Sequence, residues 1–157
     1  MVAVFSVMVV HAQEGWVTHK SGRLSVKFPV APKEVQPGTI LASPDSNKVF
    51  VFTVVDFTQF GLDSASLVPV KATPEFAGQI KTGMSITLKG VTLDDFKIGD
   101  FNGYTTYTTA GVDAQKKQYD MLMILIGNKM YSLTAVRRNG IAATDKDAYF
   151  ASVAIAK

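Results

Sequence analysis

QYDMLMILIGNKMYSLTAVRR, residues 118–138, reads as two apolar β-runs joined across Gly127-Asn128. Glycine readily takes the positive φ that a type I′ or II′ turn needs at its first central position, so the stretch is expected to fold as a two-residue hairpin. That turn sets Ile126 opposite Lys129 and, stepping outward, Gln118 opposite Arg137. Leu125, Met123, Met121 and Tyr119 then share a face with Met130, Ser132, Thr134 and Val136, while Ile126, Ile124 and Leu122 share the other with Tyr131, Leu133 and Ala135. Both faces are largely apolar, and a strand pair of that kind must be covered on both sides, by helices or by a second sheet. Asp120 lies diagonal to Arg137 in this register, within reach of a cross-strand ion pair.

Outward from the hairpin, residues 91–101 and 104–109 read as strands joined through Asn102-Gly103, a strong I′ signal. Thr and Tyr dominate the second of these, as suits a half-exposed strand. Downstream, Thr144 is read as the cap of a last helix with Asp145 and Asp147 in its first turn and Tyr149, Phe150 and Val153 on its apolar side. Thr73-Pro74-Glu75 is a helix start, with Thr as cap, Pro at the first helical position and an acid near the positive end of the dipole. Phe76, Ile80 and Met84 follow at spacing four, predicting a helix of about three turns with one buried face, ended by Gly83. Residues 48–57 are apolar at nearly every position from Val49 to Val55 and belong in the middle of the sheet, paired with residues 39–42. Residues 62–72 carry no clear period, and Pro69 forbids a long helix through them. Residues 16–20 and 24–28 read as a first hairpin about Ser21-Gly22, ended by Pro29, Pro32 and Pro37.

The chain has 157 residues, 47% of them hydrophobic, enough for one domain with a substantial core. Sixteen Lys and Arg and a net charge of +3 are spread along it without a basic stripe, which argues against a nucleic-acid binder. With no cysteine there is no disulfide and no thiolate chemistry. Residues 2–10 form an almost unbroken apolar run, and Val10 and Ala12 before Gln13 fit the minus-three and minus-one positions of a signal cleavage site. The run is about half of what a membrane-spanning helix needs. Residues 1–12 are therefore read as a signal peptide with an incomplete n-region, since no Lys or Arg precedes the run; the other reading is a buried first strand. A leader implies a mature domain over residues 13–157, a periplasmic or secreted location, and no stable membrane insertion once it is removed.

Chemistry-bearing residues are few. Beyond residue 12 only His19 remains of the histidines, so neither a His/Cys zinc site nor a nucleophilic triad can be assembled without it, and its alternating strand predicts an exposed side chain. Asp94-Asp95 is the only acidic doublet. Asp100-Phe101-Asn102-Gly103 fails the calcium-loop rule at its first and last ligands, and Gly residues sit singly at turns, without a phosphate loop, dinucleotide fingerprint or GxSxG elbow. No catalytic residue, metal or cofactor is expected. One constellation stands out: in the hairpin register Lys117 faces Arg138 and Gln118 faces Arg137, so Lys116, Lys117, Arg137 and Arg138 gather at the open end with Asp120 as the one nearby acid. Four such cations could receive a phosphate, a carboxylate or an acidic protein surface; equally they could be a solvated sheet rim.

Trp16 with GRLSVKFPVAPK (residues 22–33), IGNKMYSLTAV (126–136) and DAYFASVAI (147–155) together resemble the Mog/PsbP-like superfamily, especially its small exported bacterial members of unassigned function. The resemblance implies an α+β fold: a single-domain α/β/α sandwich with a central, mainly antiparallel sheet and helices on both faces. It also implies a non-catalytic binding or assembly factor, since members act mostly on photosystems or on a small GTPase. No segment here matches the partner-binding motifs of either branch. The expected function is an exported, non-catalytic accessory protein of the bacterial envelope that contacts an envelope protein or anionic ligand through the basic rim. The alternatives are a small hydrolase using Asp94, Asp95 or His19, or an apolar-ligand carrier, with a site between the sheet and residues 62–72. A carboxyl group of raised pKa in a deep pocket would mark the hydrolase, and an open cavity the carrier. The sequence sets no oligomeric state.

Overall fold

The computed structural model describes residues 15–157. Strands β1 (Val17–Ser21) and β2 (Leu24–Phe28) form a hairpin whose turn is Gly22-Arg23, one residue beyond the expected position. An antiparallel meander follows: β3 (Lys33–Gln36), β4 (Thr39–Asp45) and β5 (Lys48–Asp56). After a 3₁₀ turn over Phe57–Phe60 come α1 (Ser64–Leu67) and α2 (Pro74–Thr87), then β6 (Val91–Leu93), β7 (Lys97–Phe101), β8 (Tyr104–Asp113), β9 (Gln118–Ile126) and β10 (Lys129–Arg137). Helix α3 (Thr144–Ala151) and β11 (Ala154–Ile155) complete the chain.

Strands β9 and β10 pair from Lys129↔Ile126 to Arg137↔Gln118, in the register predicted above. Gly127 has φ 62° and Asn128 does not share the positive φ, the signature of a type II′ turn. This hairpin lies at the centre of an eight-stranded antiparallel sheet of order β3-β4-β5-β10-β9-β8-β6, with β7 also on β8. Asn102 (φ 53°) and Gly103 (φ 85°) form the I′ turn expected between β7 and β8.

The expected α/β/α sandwich, with helices on both faces, is overturned. One face of the large sheet carries a second sheet, β1-β2-β11, together with the short helix α3. Tyr131, Leu133, Ala135 and Ile124 meet Leu24, Val26 and Phe28 there, with Phe50, Phe52 and Tyr149. On the other face Met121, Met123, Leu125 and Met130 pack under α2 (Phe76, Ala77, Ile80) and under Leu67 of α1. The two-sided apolar hairpin demands a cover on each side but does not specify a helix. Alternation of Leu24, Val26 and Phe28 gives β2 a continuous apolar face, and a sheet on a sheet satisfies the demand as well as a helix does.

Other differences are local. Helix α2 does not stop at Gly83 but runs on to Thr87, because Gly83 stays out of the left-handed conformation by which a glycine terminates a helix. Residues 91–101 are not one strand: β6 and β7 pair with successive halves of β8, interrupted at residues 94–96. Strand β8 has five of its ten residues buried and only Thr108 exposed despite its threonines, since it has neighbours on both edges and Leu67, Phe76 and Leu93 over Tyr107. Helix α3 begins at Thr144 and takes no side-chain cap from it.

Two tyrosines latch the covering layers to the sheet. The Tyr107 hydroxyl donates to the Lys71 carbonyl beyond α1, and the Tyr149 hydroxyl of α3 donates to the Val51 carbonyl of β5 at 3.0 Å. Burial pushes the Tyr107 phenol up to about 12 and holds that of Tyr149 well above its ordinary 10. Tyr149 also packs on Phe28 and Phe50, with ring centroids 5.3 and 5.1 Å away. Tyr149→Phe should therefore cost about 1 kcal/mol, the net worth of one hydrogen bond, and Tyr149→Ala about 3–5 kcal/mol, measured by urea denaturation.

Candidate functional site

The open end of the central hairpin is shaped by Asp113. Its Oδ1 accepts from the backbone N–H of Gln115 and of Lys117, both at 2.9 Å, and its Oδ2 from the Tyr119 hydroxyl at 3.3 Å. This Asx-type arrangement closes the β8–β9 turn and sets Lys116 in the left-handed region, φ 63°. Lys117 and Arg138 line one shallow cleft of about 440 Å³ with Gln115 and Asn139. The Arg138 backbone N–H donates to the Asn47 carbonyl at 2.9 Å, which fixes the exit of β10.

The four expected cations do not act as one group. Arg137 carries the face parity of Leu133 and Ala135 and is turned inward, its Nη2 3.5 Å from Asp120 Oδ2 and its Nη1 donating to the Ile141 carbonyl at 2.9 Å. Both members of that pair are largely withdrawn from water, 22% and 21% exposed. Lys48, opposite Arg137 on the other side of β10, is likewise engaged, by Asp145 of α3 at 2.5 Å and Asp45 at 3.6 Å. Among the described residues, Lys116, Lys117 and Arg138 form no ion pair. Sequence reading counted Asp120 as the one acid of this end and passed over Asp113, whose signal was the short polar turn Asp113-Ala114-Gln115.

His19, Asp94 and Asp95 are not brought together. His19 belongs to the small sheet, edge-on to Phe28 and Phe52 at 6.2 and 5.4 Å, and is half-buried where an exposed side chain was expected. Asp95 sits at the break between β6 and β7, exposed, and binds Lys81 of α2 at 2.7 Å, on the other side of the large sheet. Lys81 holds the Asp95 carboxyl below its ordinary value, and hydrogen bonds from Thr58 and Ser66 do the same for Asp56 and Asp63. These shifts run opposite to the raised carboxyl group that a general acid needs.

An apolar groove of about 460 Å³ opens on the α2 side. Its floor is Val55 and Met130, one wall is Phe57, Phe60 and Leu62, and α2 forms the other. The expected site between the sheet and residues 62–72 is therefore displaced: the segment reaches the groove only at Leu62, while Leu67 is buried against the sheet.

No protein-family model matches the chain, and no curated protein matches it. Solved structures do. Cyanobacterial PsbP (CyanoP) of Synechocystis sp. PCC 6803 aligns with TM-score 0.64 and 11% sequence identity over 89% of this chain and 92% of its own. A protein of Bacteroides thetaiotaomicron VPI-5482 aligns with TM-score 0.51 and 12% identity over 86% of this chain; this chain spans only 46% of that one. Identities this low show the fold alone, and the fold is PsbP-like. Among the described residues no helix is long and apolar enough to cross a membrane. The expected leader over residues 1–12 lies outside the described residues.

Burial lowers the pKa of His19 below its ordinary 6.5, with the carboxylate of Glu34 acting in the opposite direction. As pH falls through 6.5 the unfolded chain takes up a proton that the fold disfavours, so stability is full above that pH and declines below it. The thermal midpoint should drop between pH 7.5 and pH 5, and His19→Phe, which preserves the ring contacts, should make the drop smaller.

Proposed function

We propose that this chain is a non-catalytic accessory protein of the bacterial envelope, exported by the leader read in residues 1–12, that holds an anionic partner in the cleft beside the β8–β9 turn. One observation carries the reading: Lys117 and Arg138 line a single cleft beside Lys116 without ion pairs, while Arg137 and Lys48 at the same end of the sheet are neutralised. Positive charge is thus left to solvent at one place and compensated next to it. The non-catalytic character that the sequence resemblance implies supports the reading, while the likeness to the solved structure carries the fold only. Exposed cations of this kind contribute little apiece, about 0–1 kcal/mol, so the partner is held weakly and in a salt-sensitive way.

A fluorescently labelled hexaglutamate peptide, titrated by anisotropy at low and high salt, tests the contact. Wild type should bind at low salt and lose affinity as salt rises; Lys117→Glu/Arg138→Glu should lose binding. Lys129→Glu should not, since it lies at the closed end of β10, roughly 30 Å away along the strand. Equal binding by all three proteins ends the reading. Export is tested by the N-terminal residue of the secreted protein, expected to be Gln13; a retained Met1 contradicts it.

A further inference from the structure

We propose that the groove between α2 and the Phe57–Phe60 turn binds a small, neutral, elongated apolar molecule, and that Gly83 keeps it open. The proposal is independent of the basic cleft. Size comes first: about 460 Å³ lies in the range of small-molecule pockets, roughly 300–1,000 Å³. A docked three-turn helix, about 10 Å across, would need more than twice that space, which sets a peptide helix aside.

Charge complementarity then selects the ligand. The polar groups lining the groove are the Gln79 amide and the Thr87 hydroxyl, both uncharged. No charged residue lines the groove itself; Lys81 of α2 binds Asp95, and the Asp56 carboxylate accepts from Thr58 and from Asn128 Nδ2 at 2.8 Å. A fatty carboxylate or an ammonium would enter without a counter-ion, whereas a neutral chain with one hydrogen-bonding end would not be penalised.

Two further features show a groove built to remain unfilled. Phe60 is 68% exposed, yet the turn carrying it is held firmly, because Asp56 Oδ1 accepts from the Thr58 N–H at 3.0 Å and its hydroxyl at 2.6 Å. The aromatic wall is thus fixed in place instead of collapsing onto Met84. Gly83 lies inside α2, where glycine costs about 1 kcal/mol relative to alanine, and no left-handed backbone or close neighbour calls for it. A Cβ at that position would meet nothing within 4 Å. Any longer side chain there would occupy the groove.

Gly78 supplies a matched control: it lies in the same helix, is equally unobstructed, and does not line the groove. The probe is N-phenyl-1-naphthylamine, an uncharged apolar dye that fluoresces when removed from water. Wild type should enhance its emission saturably, Gly78→Ala should match wild type, and Gly83→Leu should weaken binding at least tenfold with an unchanged or raised thermal midpoint. Phe60→Ala, at an exposed position, should weaken it several-fold and keeps the test decisive if Gly83→Leu folds poorly. Lys117→Glu/Arg138→Glu should bind the dye as wild type does. No saturable enhancement by wild type, or undiminished binding by both Gly83→Leu and Phe60→Ala, would overturn the proposal.

Discussion

A hairpin that is apolar on both faces cannot form the surface of anything, and the rest of this molecule answers that constraint. Strands β9 and β10 put Met121, Met123 and Met130 on one side and Ile124, Leu133 and Ala135 on the other, all at most 4% exposed. At about 1.5–3 kcal/mol for each large apolar side chain withdrawn from water, neither face can be left uncovered. Strands β5 and β8 extend the sheet laterally, and two unlike layers close it above and below. The layers are tied down by directional bonds as well, Tyr149 to the Val51 carbonyl and Tyr107 to the Lys71 carbonyl, and within the small-sheet layer Ser152 Oγ accepts from the Lys27 N–H at 2.9 Å.

The candidate sites arise where those layers stop. At the open end of the hairpin the period-two alternation sends Arg137 toward the small sheet, where Asp120 and the Ile141 carbonyl engage it, and leaves Arg138 on the cleft with Lys117. One residue of displacement along a strand thus separates a structural cation from a candidate binding cation. At the closed end α2 covers β8, β9 and part of β10 but not the end of β5, so Val55 and Met130 become the floor of a groove.

How much of this could be read from residues follows from range. The hairpin register, its face assignment, the Asp120–Arg137 pair and the start of α2 are local consequences of turn chemistry and periodicity, and they were legible. The nature of the cover was not. Strand β11 is two residues long and pairs with β2 from the far end of the chain, Ala154 against Ser25, a contact with no local signature. His19 was misread for the same reason: its strand alternates as an exposed one does, but the small sheet folds onto β5 and brings the ring to Phe52. Asp113 was not legible, because it acts through backbone N–H groups that composition does not reveal. The groove depends on the aperiodic Phe57–Phe60 turn and on a glycine expected to end the helix it continues.

Native-state amide hydrogen exchange tests the central claim most directly. If the doubly covered hairpin is the part of the fold on which everything else rests, the amides of residues 122–125 and 131–135 should exchange only through global unfolding and be the slowest in the molecule. Amides of the edge strand β3, whose four residues are all exposed, should exchange far faster. Exchange of the hairpin amides at the rate of β3 would contradict the account.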